Sequence, residues 1–412
     1  MAIKADTATL ELLLAVETSL RERLIAELYL LGFEAFLEDD DGLSAYLPAA
    51  EWTLEMDRRV REILSRLALK IEPHIRFIDP ENWNQRWESS IHPLVVDRFF
   101  PGPPELDVML RYHLGWVDEH GQAVEVYAGK QFRPLFLLLC AEAAGGDWRQ
   151  ALPAAAAVEL IHNFSLIHDD IEDRSPLRRG RPTLWSIWGE APAINAGDAM
   201  FALAHMAILR LAECDVPPAR VLQAVQMFER TNLELTRGQH LDMAFELRQQ
   251  VSVDEYLDMV RGKTAALIGL SAQLGALVAG QPEARVSEFA ELGLSLGMAF
   301  QVRDDILGVW GDPAVTGKSA ATDIVSRKKS LPILFGLDRS TGFQDVFWRD
   351  GELSVGDLEE AVRLLDAVDA RGYAEGLELR YADRASGLFS GLLGGKQSLL
   401  SVLISSLVGR SF

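Results

Sequence analysis

A mainly α-helical protein with a small α+β domain at its N-terminus is what this sequence predicts. Three observations carry that expectation. Residues 1–100 alternate short apolar runs with amphipathic stretches. Residues 99–106, FFPGPPEL, hold three prolines and a glycine, through which neither helix nor sheet continues. Beyond them strand signals disappear, and Ala/Leu-rich helical runs extend to the C-terminus. With 412 residues the chain is long enough for two domains, expected at 1–100 and 105–412.

The N-terminal elements follow in order. Residues 9–16 read as a strand, and 19–31 have helical periodicity with Gly32 placed to end it. Residues 33–48 read as two strands around an Asp-Asp-Gly turn. Residues 53–69 are again helical, and 70–78 form a strand. The order strand, helix, strand, strand, helix, strand is that of a ferredoxin-like α+β unit. With the segment ENWNQRWESSIHPLVVDRFF at 81–100, it resembles the N-terminal domain of the ribosomal-protein lysine methyltransferase that modifies the large-subunit stalk protein. That resemblance implies a domain that recruits a protein partner. No Gly-rich loop for S-adenosylmethionine follows, so methylation is not implied.

Composition narrows the function. Lys and Arg number 40 against 61 Asp and Glu, a formal net charge of −21, which argues against nonspecific nucleic-acid binding. An anionic ligand would require positive charge concentrated locally, as side chains or as metal. No uncharged apolar run reaches the ~18 residues of a membrane span, and 265–280 reads as a buried core helix. The N-terminus does not read as a signal peptide. Cys140 and Cys214 lie in apolar helical surroundings without zinc-ligand spacing, as expected of free thiols in a reducing cytoplasm.

The strongest chemical signal is LIHNFSLIHDDIEDRSPLRRGRPT at 160–183. An apolar helical stretch ends in Asp169, Asp170 and Asp173. Asp169 and Asp173 are four residues apart, so a helix puts both carboxylates on one face, where they repel. A hard divalent cation shared with a phosphate oxygen removes that repulsion, and Mg²⁺ binds in this way. Arg178, Arg179 and Arg181 follow, and guanidinium suits phosphate oxygens.

FQVRDDILGVWGDPAVTGKSAATDIVSRKKSLP at 300–332 repeats the logic. Asp304 and Asp305 follow an apolar helical run at 292–300, and Lys318, Asp323 and Lys328 come later. Two helices, each ending in paired aspartates with basic residues downstream, suggest two carboxylate clusters facing one diphosphate.

Several motifs stand in series: GKQFRP at 129–134, DDIED at 169–173, RRGRPT at 178–183, GQHLD at 238–242, KT at 263–264, FQVRDD at 300–305, and TGK at 316–318. From about Met109 onward, this combination resembles the trans-isoprenyl diphosphate synthases, which include farnesyl and geranylgeranyl diphosphate synthases. The resemblance implies an all-helical isoprenoid-synthase bundle around a deep cavity, and elongation of an allylic diphosphate by isopentenyl diphosphate. It implies about three Mg²⁺ ions, Asp169 and Asp173 resembling the ligands of two and Asp304 with Asp323 those of the third. By the same resemblance Asp170 and Asp305 complete the acidic pairs, and Arg178, Lys263 and Lys318 hold the allylic diphosphate. Lys130, Arg133, His162 and Arg179 hold the homoallylic one. Gln239 and Thr264 supply oxygen dipoles toward a carbocation, and a homodimer is implied.

Phe164, five residues before Asp169, lies more than one helical turn deeper. By resemblance it is the floor that limits the product to fifteen to twenty carbons, with twenty preferred. The second cluster departs from the family pattern, because Gly308 stands where a third aspartate is usual. Two other readings fit parts of the pattern: a class I terpene cyclase, and a noncatalytic prenyltransferase-like subunit or scaffold. A cyclase would carry an Asn/Asp–Ser/Thr–Glu metal motif in place of FQVRDD and would not need Lys130, Arg133 and His162.

Overall fold

A computed structural model describes residues 9–16, 18–29, 31, 33, 35–39, 42–48, 52–67, 69, 71, 73–78, 103–124, 132–311, 321–393, 400 and 404. The segment at 81–100, Lys130 and Lys318 lie outside the described residues. The chain divides into two compact units, Met1–Glu88 and Ser89–Phe412.

In the first unit the order is β1 (Thr9–Leu14), α1 (Thr18–Tyr29), β2 (Ala35–Asp39), β3 (Gly42–Pro48), α2 (Leu54–Arg66) and β4 (His74–Ile78). The strands form one antiparallel sheet in the order β2-β3-β1-β4. Alternation fixes its inner face: Leu10, Leu12 and Leu14 of β1 and Leu43, Ala45 and Leu47 of β3 are buried. Leu24 and Leu28 of α1 and Val60, Ile63 and Leu64 of α2 complete that core. Thr53 caps α2 by accepting a hydrogen bond from the Met56 amide at 3.1 Å.

In the second unit the chain enters a helix inside the Pro-rich segment itself: α3 (Pro104–His113) has Pro104 in its first turn, where a missing N–H costs nothing. Then come α4 (Phe132–Ala143), α5 (Leu152–Glu172), α6 (Leu184–Trp188), α7 (Glu190–Leu209), α8 (Pro218–Leu247) and α9 (Val253–Val260). A single π-helical turn, Arg261–Ala265, leads into α10 (Ala266–Val278), followed by α11 (Glu283–Trp310). Short α12 (Thr322–Val325) precedes α13 (Leu331–Arg339), α14 (Thr341–Phe347), α15 (Val355–Ala367) and α16 (Ala370–Leu393).

Small residues let these helices approach closely. A Cβ on Gly293 would lie 2.5 Å from the Ile268 carbonyl oxygen, and one on Gly297 would lie 2.6 Å from the Ala265 Cα. The apolar stretch around 265–280 is the buried helix the sequence predicts, with Leu267, Ile268, Leu270 and Leu274 in the core. The described stretch long and apolar enough to cross a membrane is a different one, Glu190–Glu213. Its helix α7 packs along α5 and leaves Ile194, Met206 and Leu209 exposed.

Two expectations need correction. Strand structure does not vanish after residue 106: Leu177–Arg178 (β5) and Arg181–Pro182 (β6) pair in a tight hairpin, because Arg179 and Gly180 both take positive φ, 53° and 75°. The second aspartate pair is not at a helix end either. Helix α11 runs on to Trp310, so Asp304 and Asp305 point from successive positions of a continuous helix to opposite environments.

Candidate active site

The last turn of α5 carries the first carboxylates. One oxygen of Asp169 accepts Gln239 Nε2 at 3.1 Å and Lys263 Nζ at 3.4 Å, and the other accepts Arg178 Nη2 at 3.2 Å. Lys263 also reaches Asp242 Oδ2 at 2.5 Å. Its position is set by glycine: a Cβ on Gly238 would lie 2.2 Å from the Lys263 backbone nitrogen, so only glycine lets α8 lie directly against the π turn. π turns of this kind recur at functional sites.

Asp170 faces inward, 2% exposed, and accepts Arg178 Nε at 2.8 Å. Burial pushes its carboxyl up to about 6 against the pull of Arg178. Asp173, exposed at the end of α5, has its carboxyl pushed up to about 6 by desolvation among its neighbours and then by the Asp169 charge. Like charges are crowded here, and Lys263 and Arg178 hold them together. In the arginine hairpin, Arg178 turns to these carboxylates. Arg181 instead anchors the hairpin to the end of α3, donating to the Tyr112 carbonyl at 3.1 Å and the Val117 carbonyl at 2.9 Å.

A second group of side chains is basic. Arg133 Nη1 meets His162 Nε2 at 3.2 Å, and Arg133 Nε is buried without a partner. Burial, and then Arg133, Arg179 and Arg178, hold His162 well below the usual histidine range. His113 lies nearby with its Nε2 buried and unpartnered. Burial, and then Arg178, Arg179 and Arg181, push it down to about 3. A chain of net charge −21 thus concentrates cations where the sequence required them.

His113 makes a signed prediction. Its folded pKa is depressed, so its contribution is intact above the unfolded value of 6.5 and is lost as pH falls toward about 3. Between pH 7.5 and pH 5 the wild type should lose roughly 2 kcal/mol more stability than His113→Gln. Urea unfolding at the two pH values measures this. Equal losses would place His113 in solvent.

The second cluster lies on α11. Asp304 is exposed, whereas Asp305 is 1% exposed. Asp305 accepts the Tyr256 hydroxyl, Gln301 Nε2 at 3.1 Å and the Leu331 amide at 3.2 Å, and burial pushes its carboxyl up to about 6. Asp170 and Asp305, which complete the two acidic pairs, are thus both buried and both held by hydrogen bonds from neighbouring side chains. Gln301 in turn accepts the Thr264 hydroxyl at 2.9 Å. The gap at Gly308 has a structural counterpart. A Cβ there would lie 2.5 Å from the Asp323 Cγ, so the Asp323 carboxylate occupies the space over Gly308. Burial opposes the charge on Lys328, but Asp323, Asp305, Asp242 and Asp304 outweigh it and raise its pKa.

One cavity of about 670 Å³ is lined by Arg133, His162, Asp169, Gln239, Lys263 and Thr264, with Phe164 and Phe201 in its wall; among the described residues, the second cluster on α11 is not part of that lining. The structure thus brings Asp169, Arg178, Gln239 and Lys263 into one hydrogen-bonded group, and Arg133 with His162 into another. Sequence reasoning missed His113, Asp242, Tyr256 and Gln301 as parts of the site. Asp242 follows Gln239 by three positions on α8 and Gln301 precedes Asp304 by three on α11, a readable spacing; His113 and Tyr256 carry no such signal.

The polyprenyl synthetase family profile matches residues 116–365. The chain is 48% identical over 230 residues to a (2E,6E)-farnesyl diphosphate synthase of Mycobacterium tuberculosis, a match covering 56% of this chain and 63% of that enzyme, less than two thirds of its length. It is 40% identical over 264 residues to a geranylgeranyl diphosphate synthase of the same species, covering 63% of this chain and 74% of the relative. A polyprenyl synthetase crystal structure from Streptomyces coelicolor superposes with a TM-score of 0.70 at 31% identity, over 79% of this chain and 97% of the other.

Proposed function

Since the chain belongs to the polyprenyl synthetase family, we propose that it is a prenyltransferase that condenses isopentenyl diphosphate with an allylic diphosphate in the presence of Mg²⁺. The observation that carries this reading is one cavity lined both by a carboxylate–cation group, Asp169 with Lys263, and by a part-buried basic group, Arg133 with His162, beside apolar side chains. A diphosphate held by metal and a second held by arginine and neutral histidine are what that division of charge suits.

Asp169, Asp173, Asp304 and Asp323 are hard oxygen donors that fit Mg²⁺. The fit rests on the crowding that raises Asp173 and on the Asp323 carboxylate lodged over Gly308. Among the described residues no three such side chains are gathered closely enough to hold an ion alone, so phosphate oxygens and water would have to complete the shell. When bound, the ions supply Lewis-acid stabilisation of the departing oxygens.

This chain's own groups do the rest. Arg178 and Lys263 exchange their carboxylate partners for diphosphate oxygens as substrate arrives. Thr264 donates its hydroxyl hydrogen bond to Gln301 Oε1, so what its oxygen presents to the cavity is lone-pair density. Gln239 gives N–H groups to Asp169 and Glu172, which leaves its carbonyl oxygen as the end available to a cation. Such fixed dipoles stabilise a developing carbocation without forming a bond to it. Arg133, Arg179 and His162 hold the isopentenyl diphosphate, whose double bond attacks, and the departed diphosphate accepts the final proton.

Phe164 stacks against His168 and Phe201, with ring centroids 4.7 and 4.9 Å away, and walls the recess. We assign it as the floor that holds the product at fifteen to twenty carbons, twenty preferred. Phe164→Ala should lengthen the main product by at least one five-carbon unit, read by chromatography of the dephosphorylated prenols. An unchanged distribution would remove Phe164 from this role.

Exposed Ile194, Met206 and Leu209 on α7 and Leu222 and Leu233 on α8 support a homodimer built on those helices. The β2-β3-β1-β4 antiparallel order of the first unit supports a ferredoxin-like domain; docking of a protein partner and residence in a reducing cytoplasm are part of the same proposal.

A further inference from the structure

Among the described residues that line the cavity, Asn232 is a polar side chain that its surroundings do not explain. Asn232 on α8 is 8% exposed, and both its amide nitrogen and its amide oxygen are buried without a partner. Thr236 donates to the Asn232 backbone carbonyl at 2.9 Å, which leaves the side chain unaccounted for. Asn232 lines the same cavity as Phe164, Phe201 and Leu235. It precedes Gln239 by seven residues, about 10 Å along the helix, and Gln239 is the residue that touches Asp169. Phe164 precedes Asp169 by five residues, about 7.5 Å. Both side chains line that cavity, each more than one helical turn ahead of the residue by which its helix joins the Asp169–Gln239 contact.

We propose that Asn232 sets a polar limit to the growing prenyl tail, a second chain-length determinant that acts by solvation where Phe164 acts by bulk. An amide with no protein partner, in a mainly apolar cavity with room for water and with Thr236 and His168 also in its lining, would take its missing hydrogen bonds from water. A short tail ends before it. A longer tail must strip that water and leave both amide groups facing hydrocarbon. Leaving a buried donor and acceptor unmade disfavours the longer occupant by roughly tenfold to a hundredfold. Steric and solvation limits are separable, because leucine keeps the branched skeleton of asparagine and is bulkier: Asn232→Leu removes the polarity without opening space, so a longer product cannot come from added room.

This inference rests on the elongation reading, and the experiment keeps the two apart. Wild type, Asn232→Leu, Asn232→Met and Phe164→Ala would be supplied with Mg²⁺, isopentenyl diphosphate and dimethylallyl diphosphate, and their products separated by length. In parallel, calorimetry would compare the affinities of geranyl, farnesyl and geranylgeranyl thiolodiphosphates. Asn232→Leu should raise the ratio of longer to wild-type product about tenfold or more. It should tighten the longest thiolodiphosphate relative to the shortest by the same factor and raise Tm. If Asn232→Leu fails to fold, Asn232→Met carries the same expectation. An unchanged product ratio and an unchanged affinity ratio overturn the proposal. If the wild type elongates nothing, the elongation reading fails, and the affinity ratio alone decides the role of Asn232.

Discussion

Asp169→Ala should lower turnover at least about a thousandfold while leaving the affinity for isopentenyl diphosphate nearly unchanged. The carboxylate is the meeting point of Arg178, Gln239 and Lys263, so its loss removes both a metal ligand and the group that keeps these donors in register. The fold should survive, because Arg178 keeps Asp170 and Lys263 keeps Asp242. Steady-state rates with the allylic substrate saturating, alongside circular dichroism, would measure this. A variant retaining more than about a tenth of wild-type turnover would mean that Asp169 is not where charge develops. The same variant separates an enzyme from a scaffold, which would keep its partner binding.

Arg133→Ala should act on the other substrate. Its guanidinium is part-buried, the buried Nε has no partner, and Nη1 meets His162, so in the free protein it is held ready for an anion. Removing it should raise KM for isopentenyl diphosphate by on the order of a hundredfold with a smaller change in kcat, leaving the allylic KM unaffected. Arg133→Lys should recover only part of the loss, because an ammonium cannot reproduce the fork of guanidinium donors. Equal effects on both substrates would merge the two diphosphate positions that the account keeps separate.

Which parts of this arrangement were legible in the sequence follows from the range of the interactions. The DDIED spacing and the arginines after it lie within one short segment, so helix geometry alone brings Asp169, Asp173 and Arg178 into one region. The apolar alternation of β1 and β3 likewise reports directly on which face is buried. The hairpin was missed because its strands are only two residues long, and its signal is the positive-φ pair at Arg179 and Gly180 rather than any strand pattern. The π turn at Arg261–Ala265 was invisible for a different reason: it is imposed by the backbone contact of Gly238 with Lys263, between residues on different helices. The burial of Asp305 depends on Tyr256 and on the Leu331 amide, both far away in sequence. No local spacing could distinguish it from Asp304. Asn232 and His113 are of the same kind, polar residues whose meaning lies in what they fail to touch.

The most direct measurement of the central claim is the length of the product made by the full chain. The purified protein would be given Mg²⁺, isopentenyl diphosphate and, separately, dimethylallyl, geranyl and farnesyl diphosphates, and the dephosphorylated products resolved by chain length. The account predicts elongation that stops when Mg²⁺ is chelated, ending in a main product of fifteen to twenty carbons. A folded protein that elongates none of the three primers would contradict it and make the protein a binding subunit in place of a catalyst.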